Sequence, residues 1–181
     1  DLHWMVHSFP TQRSSDLVEA VDARLPQAQV VAIRPRITLL KRGGIDDREP
    51  WQLMAANADE LWVCAAVVDP PLRPGLLERA YALALEAGMG FRIVVTKRDR
   101  ANVQDTLPEL DAFRDMDLPI HETSAQRGEG LEELRGLLAG RTAVLVGHSG
   151  VGKSTLVNAL IPGLDLRTGG TSRWGTGRQT T

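Results

Sequence analysis

A glycine-rich run of eight residues carries the clearest chemistry in this chain. Residues 147–154 read GHSGVGKS and fit the pattern of a phosphate-binding loop, with a lysine and a hydroxyl residue after the last glycine. The glycines allow backbone N–H groups to turn toward phosphate oxygens. We predict that Lys153 contacts the β and γ phosphates and that the Ser154 hydroxyl binds Mg²⁺. An accidental glycine-rich turn is the competing interpretation.

The residues on either side of this run support the loop. Residues 142–146 (TAVLV) predict a buried strand, and residues 152–161 place apolar side chains at helical spacing. The partial positive charge at the start of that helix would face the phosphates. The predicted phosphate contacts are Gly147, His148, Ser149, Gly150, Val151, Gly152, Lys153, Ser154 and Thr155.

A second string, TKRD, has the residue types needed to recognise guanine. Thr96, Lys97, Arg98 and Asp99 follow a predicted strand, at the strand end where α/β sheets bind ligands. The Asp99 carboxylate can accept hydrogen bonds from the ring N1–H and the exocyclic amine of guanine, a donor pair that adenine lacks. The Lys97 stem can lie along the base. A charged surface turn is the alternative interpretation.

A serine–alanine pair supports the guanine interpretation by its position. Ser124 and Ala125 follow a short predicted strand at residues 119–123, one helix-length after TKRD. In GTPases such a turn offers a backbone N–H to the guanine O6. The pair means nothing alone, but after TKRD it favours guanine over adenine.

The order of these motifs predicts the fold. In Ras-like GTPases the phosphate loop comes first and the base-reading motifs last, whereas here the order is reversed, which indicates circular permutation. Strands near residues 61–68, 91–96, 119–123 and 142–147 alternate with helices near 73–87, 100–115, 128–139 and 152–161. This alternation predicts a three-layer α/β domain with a mostly parallel sheet, one edge of which is exposed.

The chain resembles the RsgA (YjeQ-type) family of GTPases that depend on the small ribosomal subunit. The similar strings are IRPRITLLKR, AANADELWVCAAV, TKRD, SAQRGEGLEEL, GHSGVGKSTLVNALIPG and GTGRQTT. The resemblance implies a circularly permuted GTPase domain between an OB-fold and a zinc-binding domain. It also implies binding of GTP, GDP and Mg²⁺, and hydrolysis of GTP during maturation of the small subunit. We expect a cytoplasmic monomer that contacts this subunit and its rRNA.

The sequence departs from the family pattern at both ends. It reaches Thr181 without the D-x-P-G motif of switch II, and with a single cysteine we expect no zinc site in this chain. We divide it into an atypical segment at residues 1–45 and an incomplete GTPase domain at 46–181. The first segment has room for OB-like strands at 30–33 and 37–40, and a short amphipathic helix is predicted over 15–25. We therefore expect a piece of a longer protein.

The last residues match the family's switch I string. By resemblance, Thr180 or Thr181 places its hydroxyl on Mg²⁺ and supports catalysis together with Lys153. Gln179 stands where the family usually has histidine, so the role of that histidine is not carried over to this chain.

Composition excludes some functions and leaves others open. The net charge of −2 argues against an electrostatic RNA binder, although Arg34, Arg36, Lys41 and Arg42 form a local basic cluster. We interpret that cluster as a solvated linker face, with rRNA phosphate contact as the alternative. Cys64 is predicted to be a core thiol, and no apolar run is long enough to span a membrane. A GTPase, a nucleotide-binding module without turnover, and a P-loop ATPase or kinase remain the candidate functions.

Overall fold

The computed structural model describes residues 18–21, 29–46, 49–101 and 107–166. The strands are β1 (Val18–Val21), β2 (Gln29–Ile33), β3 (Leu39–Asp46), β4 (Glu49–Ala56), β5 (Glu60–Ala66), β6 (Gly90–Thr96), β7 (Ile120–Glu122) and β8 (Ala143–Val146). The helices are α1 (Pro74–Ala87), α2 (Asp111–Asp115), α3 (Leu131–Leu138) and α4 (Lys153–Leu160), with 3₁₀ turns at Arg98–Arg100 and Pro108–Leu110.

Four parallel strands form the central sheet in the order β7-β6-β5-β8. All seven residues of β5 are buried. Parallel strands covered on both faces have such apolar runs, because neither face meets water. The predicted alternation of four strands with helices is therefore confirmed in its order.

Alternating side chains of β5 divide the interior into two cores and define three layers. Leu61, Val63 and Ala65 face the core that contains α1. Trp62 and Cys64 face the opposite core, with apolar residues of α3 and α4. Cys64 is fully buried, as predicted, and burial raises the pKa of its thiol to about 12.

Two antiparallel strand pairs precede the parallel sheet. β1 pairs with β2, and β3 pairs with β4 in a hairpin that carries the predicted domain boundary at residues 45–46. Leu40 and Ala55 of this hairpin belong to the same core as Leu77 of α1. The hairpin therefore packs on the α1 side of the sheet.

The helix predicted over residues 15–25 is wrong where the structure describes it. Val18–Val21 is strand β1, paired with β2, because hydrogen bonds to a distant segment override a weak local helical pattern. The strand predicted at 30–33 is confirmed as β2, whereas the one predicted at 37–40 begins at Leu39 and continues to Asp46. Residues 1–17 lie outside the described part.

The long helix predicted over residues 100–115 is also wrong. The described part contains the turn Arg98–Arg100, the turn Pro108–Leu110 and the short helix α2. Pro108 lacks a backbone N–H, and the preceding Leu107 is non-helical at φ −113° and ψ 81°. A proline thus begins a new helical turn instead of continuing one.

A buried carboxylate joins strand ends at the edge opposite the predicted motifs. Glu60 is 4% exposed and accepts hydrogen bonds from Arg92 (2.6 Å), Trp62 Nε1 (2.6 Å) and Arg141 (2.7 Å). Burial raises the pKa of this carboxyl, but the three donors outweigh it and hold the pKa at about 2. Glu60 therefore ties the starts of β5, β6 and β8 together as an anion.

No helix within the described ranges is both long and apolar enough to cross a lipid bilayer.

Candidate nucleotide site

Three predicted motifs meet at one edge of the sheet because they follow parallel strands. β8 ends at Val146, immediately before the phosphate loop. β6 ends at Thr96, the first residue of TKRD, and β7 ends just before Ser124. The carboxyl ends of parallel strands form the usual ligand-binding edge of an α/β sheet.

Backbone geometry explains the two glycines at the limits of the phosphate loop. A Cβ at Gly147 would collide with the Cys64 carbonyl oxygen and would lie 3.2 Å from a Val151 methyl carbon. Gly152 adopts φ 96°, which side-chain-bearing residues avoid, and caps α4 at its N-terminus. The helix therefore begins where the sequence predicted, at the end of the loop.

Lys153 folds back over the loop that precedes it. Its Nζ donates hydrogen bonds to the carbonyl oxygens of Gly147 and His148, both at 2.8 Å. Burial lowers the pKa of its ammonium group. The lysine thus lies at the mouth of the loop, where a phosphate would also meet it.

The remaining residues that are predicted to contact phosphate differ in their solvent exposure. Ser149 and Gly150 are exposed at the tip of the loop, and His148, Ser154 and Thr155 are half-buried. The side chain of Val151, by contrast, is 2% exposed and packs in the core with α3 and α4. Val151 can therefore contact a phosphate only through its backbone.

Thr96 connects the base-reading motif to the phosphate loop. Its hydroxyl donates to the Val151 carbonyl oxygen at 2.5 Å and lies 3.3 Å from the Ala65 carbonyl oxygen. Thr96 is 5% exposed, so both motifs meet in the dry interior. The Thr96 hydroxyl therefore joins two segments that are predicted to bind the ligand.

Lys97 extends across the phosphate loop. It adopts a left-handed backbone conformation at φ 60°, and its Nζ donates to the Asp69 carbonyl oxygen. Its Cε lies 3.9 Å from the position of a Cβ built on Gly152. The aliphatic part of the Lys97 side chain therefore passes over the loop, next to the predicted position of the base.

Asp99 and Ser124 form the second contact between predicted motifs. The fully buried Ser124 donates its hydroxyl proton to Asp99 Oδ1 at 2.7 Å. The backbone N–H of Arg127 donates to that hydroxyl at 3.1 Å, and its guanidinium donates to the Asp99 carbonyl at 3.3 Å. These bonds fix the carboxylate that the sequence assigns to guanine, next to the half-buried Ala125.

The side chain of Arg98 contacts the neighbouring strand β7. Its Nε forms an ion pair with Glu122 of β7 at 2.7 Å. Its backbone N–H donates to the Thr123 carbonyl at 3.1 Å. Arg98 therefore braces the turn against β7.

The described residues contain part of the predicted site for a magnesium nucleotide. Ser154 lies in the first turn of α4 beside Lys153, and the loop glycines Gly147, Gly150 and Gly152 have positive φ. Among the described residues, no group of three His, Cys, Asp or Glu side chains could hold a metal by itself. Thr180 and Thr181, the other predicted magnesium ligands, lie outside those residues.

Sequence reasoning missed three residues at this edge: Asp69, Pro70 and Arg127. Asp69 and Pro70 follow β5; the Asp69 carbonyl oxygen accepts a hydrogen bond from Lys97, and Pro70 lies beside Gly150 at the loop tip. The Asp-Pro-Pro string was a readable signal, because prolines a few residues after a buried strand mark a rigid turn at the ligand-binding edge. Arg127 gave no comparable signal.

The fold and the site together define a class of protein. A parallel sheet with a phosphate loop at the end of β8, and base-reading motifs earlier in the chain, is the arrangement of a circularly permuted P-loop GTPase. Residues 33–181 match the family described as RsgA GTPase. The chain belongs to this family.

Curated relatives agree with the family match. The small ribosomal subunit biogenesis GTPase RsgA of Gemmatimonas aurantiaca is 40% identical over 148 residues, which cover 79% of this chain and 47% of the relative. The protein of the same name from Chlorobaculum tepidum is 35% identical over 173 residues, covering 95% of this chain and 54% of the relative. The chain thus spans about half the length of these relatives.

Two solved structures share the fold. YjeQ from Thermotoga maritima matches with a TM-score of 0.64 at 29% identity, over 84% of this chain and 52% of that one. YloQ, described as a circularly permuted GTPase, matches with a TM-score of 0.60 at 23% identity, over 80% of this chain and 48% of that one. The match to YloQ supports the architecture alone.

Proposed function

We propose that this chain is the nucleotide-binding part of an enzyme that hydrolyses GTP to GDP and phosphate. The observation that carries the proposal is the 2.5 Å hydrogen bond from Thr96 to Val151, since it joins a base-reading motif to a phosphate loop. A nucleoside polyphosphate is the ligand class that needs both at one site. Membership of the RsgA GTPase family supports the same function.

Guanine is the base that the site suits. The Asp99 carboxylate is held by the Ser124 hydroxyl at 2.7 Å, which orients it as a hydrogen-bond acceptor. Guanine offers two adjacent N–H donors to such a carboxylate, whereas adenine offers an acceptor at one of those positions. With adenine one of these hydrogen bonds to the carboxylate would not form, at a cost of about 1–3 kcal/mol.

The chain's own groups are suited to positioning the phosphates. Backbone N–H groups of the loop and the start of α4 face the polyphosphate, and Lys153 leaves its carbonyl partners to contact the β and γ oxygens. Ser154, with Thr180 or Thr181, would hold Mg²⁺, which offsets phosphate charge when bound. Water then attacks the γ phosphorus. The bond between the γ phosphorus and the β–γ bridging oxygen breaks, which gives GDP and phosphate.

The biological setting follows from the relatives. The proteins from Gemmatimonas aurantiaca and Chlorobaculum tepidum are named small ribosomal subunit biogenesis GTPases. We extend that role to this chain, as a cytoplasmic monomer that contacts the small subunit and its rRNA during maturation. The division into an OB-like segment at residues 1–45 and a GTPase domain at 46–181 belongs to the same proposal.

Two measurements test this function. Calorimetry with the 181-residue chain should give at least tenfold tighter binding of GDP than of ADP; equal affinities would instead favour a P-loop ATPase or kinase.

Phosphate release from GTP, with and without small ribosomal subunits, should be measured for the product of the complete reading frame. Turnover that rises with subunits is expected. Binding without turnover would indicate a nucleotide-binding module.

A further inference from the structure

The loop between β5 and α1 contacts the base-reading motif and lies beside the tip of the phosphate loop. The Val67 N–H donates to the Thr96 carbonyl oxygen at 3.1 Å, which joins this loop to the end of β6. The Asp69 carbonyl oxygen accepts a hydrogen bond from Lys97 Nζ. Pro70 Cδ lies 3.8 Å from the position of a Cβ built on Gly150, at the tip of the phosphate loop. None of the predicted motifs includes Asp69 or Pro70.

We propose that Asp69 and Pro70 are positioning residues for the nucleotide base, acting through Lys97. The Asp69 carbonyl holds the Lys97 ammonium, and Pro70 sets the distance between that carbonyl and the loop tip. The inference rests on the proposed function, because it concerns the same site. It adds a fourth chain segment to the three predicted motifs at this edge of the sheet.

The physical reason lies in the flexibility of lysine. A free lysine side chain loses rotamer entropy when a ligand immobilises it, and this loss weakens binding. Here the hydrogen bond to Asp69 has already fixed the stem above Gly152. A base that packs along this stem then binds to a preorganised surface, which improves affinity mainly through slower dissociation.

Pro70 suits this task better than a flexible residue. Its ring fixes φ, and it has no N–H that would need a partner beside Gly150. Replacing it by alanine frees the segment that carries the Asp69 carbonyl, so the acceptor no longer stays opposite Lys97. The neighbouring Pro71 is exposed and serves as a matched control.

The test measures dissociation of a fluorescent GDP from the 181-residue chain by stopped flow. We expect Pro70→Ala to speed dissociation about threefold to tenfold and Pro71→Ala to leave it within about 1.5-fold. Pro70→Ala should lose its effect in a Lys97→Met background, because the residue acts through that lysine. Lys97→Arg, which keeps a donor of similar reach, should dissociate more slowly than Lys97→Met.

Three results would overturn the inference: equal effects of Pro70→Ala and Pro71→Ala, independent effects of Pro70→Ala and Lys97→Met, or equal dissociation from Lys97→Arg and Lys97→Met. The Lys97 pair keeps the test decisive if Pro70→Ala does not fold. Failure of the proposed function is distinguishable, since the parent chain would then bind GDP no better than ADP.

Discussion

The hydroxyl of Thr96 donates to the carbonyl oxygen of Val151 at 2.5 Å across 55 positions of sequence. Thr96 is 5% exposed and Val151 is 2% exposed, so water has little access to either group. A buried carbonyl that loses its donor bears the full cost of desolvation. This one bond therefore couples the stability of the phosphate loop to the end of β6.

Replacing Thr96 by valine should weaken the fold and the site together. The change removes the hydroxyl at nearly constant shape and leaves the Val151 carbonyl unsatisfied, at a cost of about 1–3 kcal/mol. Urea unfolding would measure stability and calorimetry would measure GDP affinity. Thr96→Ser keeps the hydroxyl and should stay close to the parent. Unchanged stability in Thr96→Val would contradict the role assigned to this bond.

Gly147 and Gly136 should respond to alanine in opposite ways. A Cβ at Gly147 meets the Cys64 carbonyl oxygen, so Gly147→Ala should distort the phosphate loop and reduce GDP binding at least tenfold. Gly136 lies in α3 with nothing within 4 Å of an added Cβ, and alanine there should stabilise by about 0.5–1 kcal/mol. Calorimetry and thermal unfolding of both variants check the pair, and normal GDP binding by Gly147→Ala would refute the loop assignment.

Changing Asp99 to asparagine should alter which base is bound. The amide presents a donor where the carboxylate presented an acceptor, which favours xanthine over guanine. We expect GDP affinity to fall by about 1–3 kcal/mol while xanthosine diphosphate gains. Ser124→Ala removes the 2.7 Å bond to the carboxylate and should weaken GDP binding without favouring xanthine. If Asp99→Asn binds the two diphosphates with the parent's preference, Asp99 does not read the base.

Lys153 should matter for binding more than for folding. Lys153→Met removes the charge and about 1.5–3 kcal/mol of phosphate contact, which corresponds to roughly tenfold to 150-fold weaker GDP binding. Its bonds to the Gly147 and His148 carbonyls are half-buried, so unfolding in urea should change less. Ser154→Ala should chiefly reduce the dependence of binding on Mg²⁺. Parent-like GDP–Mg²⁺ affinity in both variants would move the phosphate site elsewhere.

The buried carboxylate of Glu60 should make stability depend on acid. Its pKa is about 2 in the folded chain against 4.5 for an ordinary glutamate, so the folded state favours the anion. The resulting stabilisation of about 3 kcal/mol is present above pH 4.5 and is lost as pH falls toward 2.

Urea unfolding between pH 6 and pH 2.5 would measure this loss. Glu60→Gln should be less stable near neutral pH and should show a shallower decline, because it removes the titrating group from its partners Arg92, Trp62 and Arg141. Glu109→Gln changes an exposed glutamate and is the matched control. Identical acid profiles for the parent and Glu60→Gln would contradict this account.

Local features of the sequence were sufficient to predict the turn between β8 and α4 and the strands that position the motifs. The turn at Gly147 and Gly152 depends on residues a few positions apart, so glycine spacing reveals it directly. The apolar run of β5 similarly indicates a strand covered on both faces. The parallel sheet and the common location of the three motifs follow from the alternation of these elements with helices.

Only the tertiary structure decided which side chains meet. Val18–Val21 became a strand because it pairs with Gln29–Ile33, and Thr96 contacts Val151 because β5 lies next to both β6 and β8. The contact between Lys97 and Asp69 depends on the same neighbouring strands. Such contacts join residues that are far apart in sequence, and local pattern and propensity carry no information about which distant partner a polar group will find.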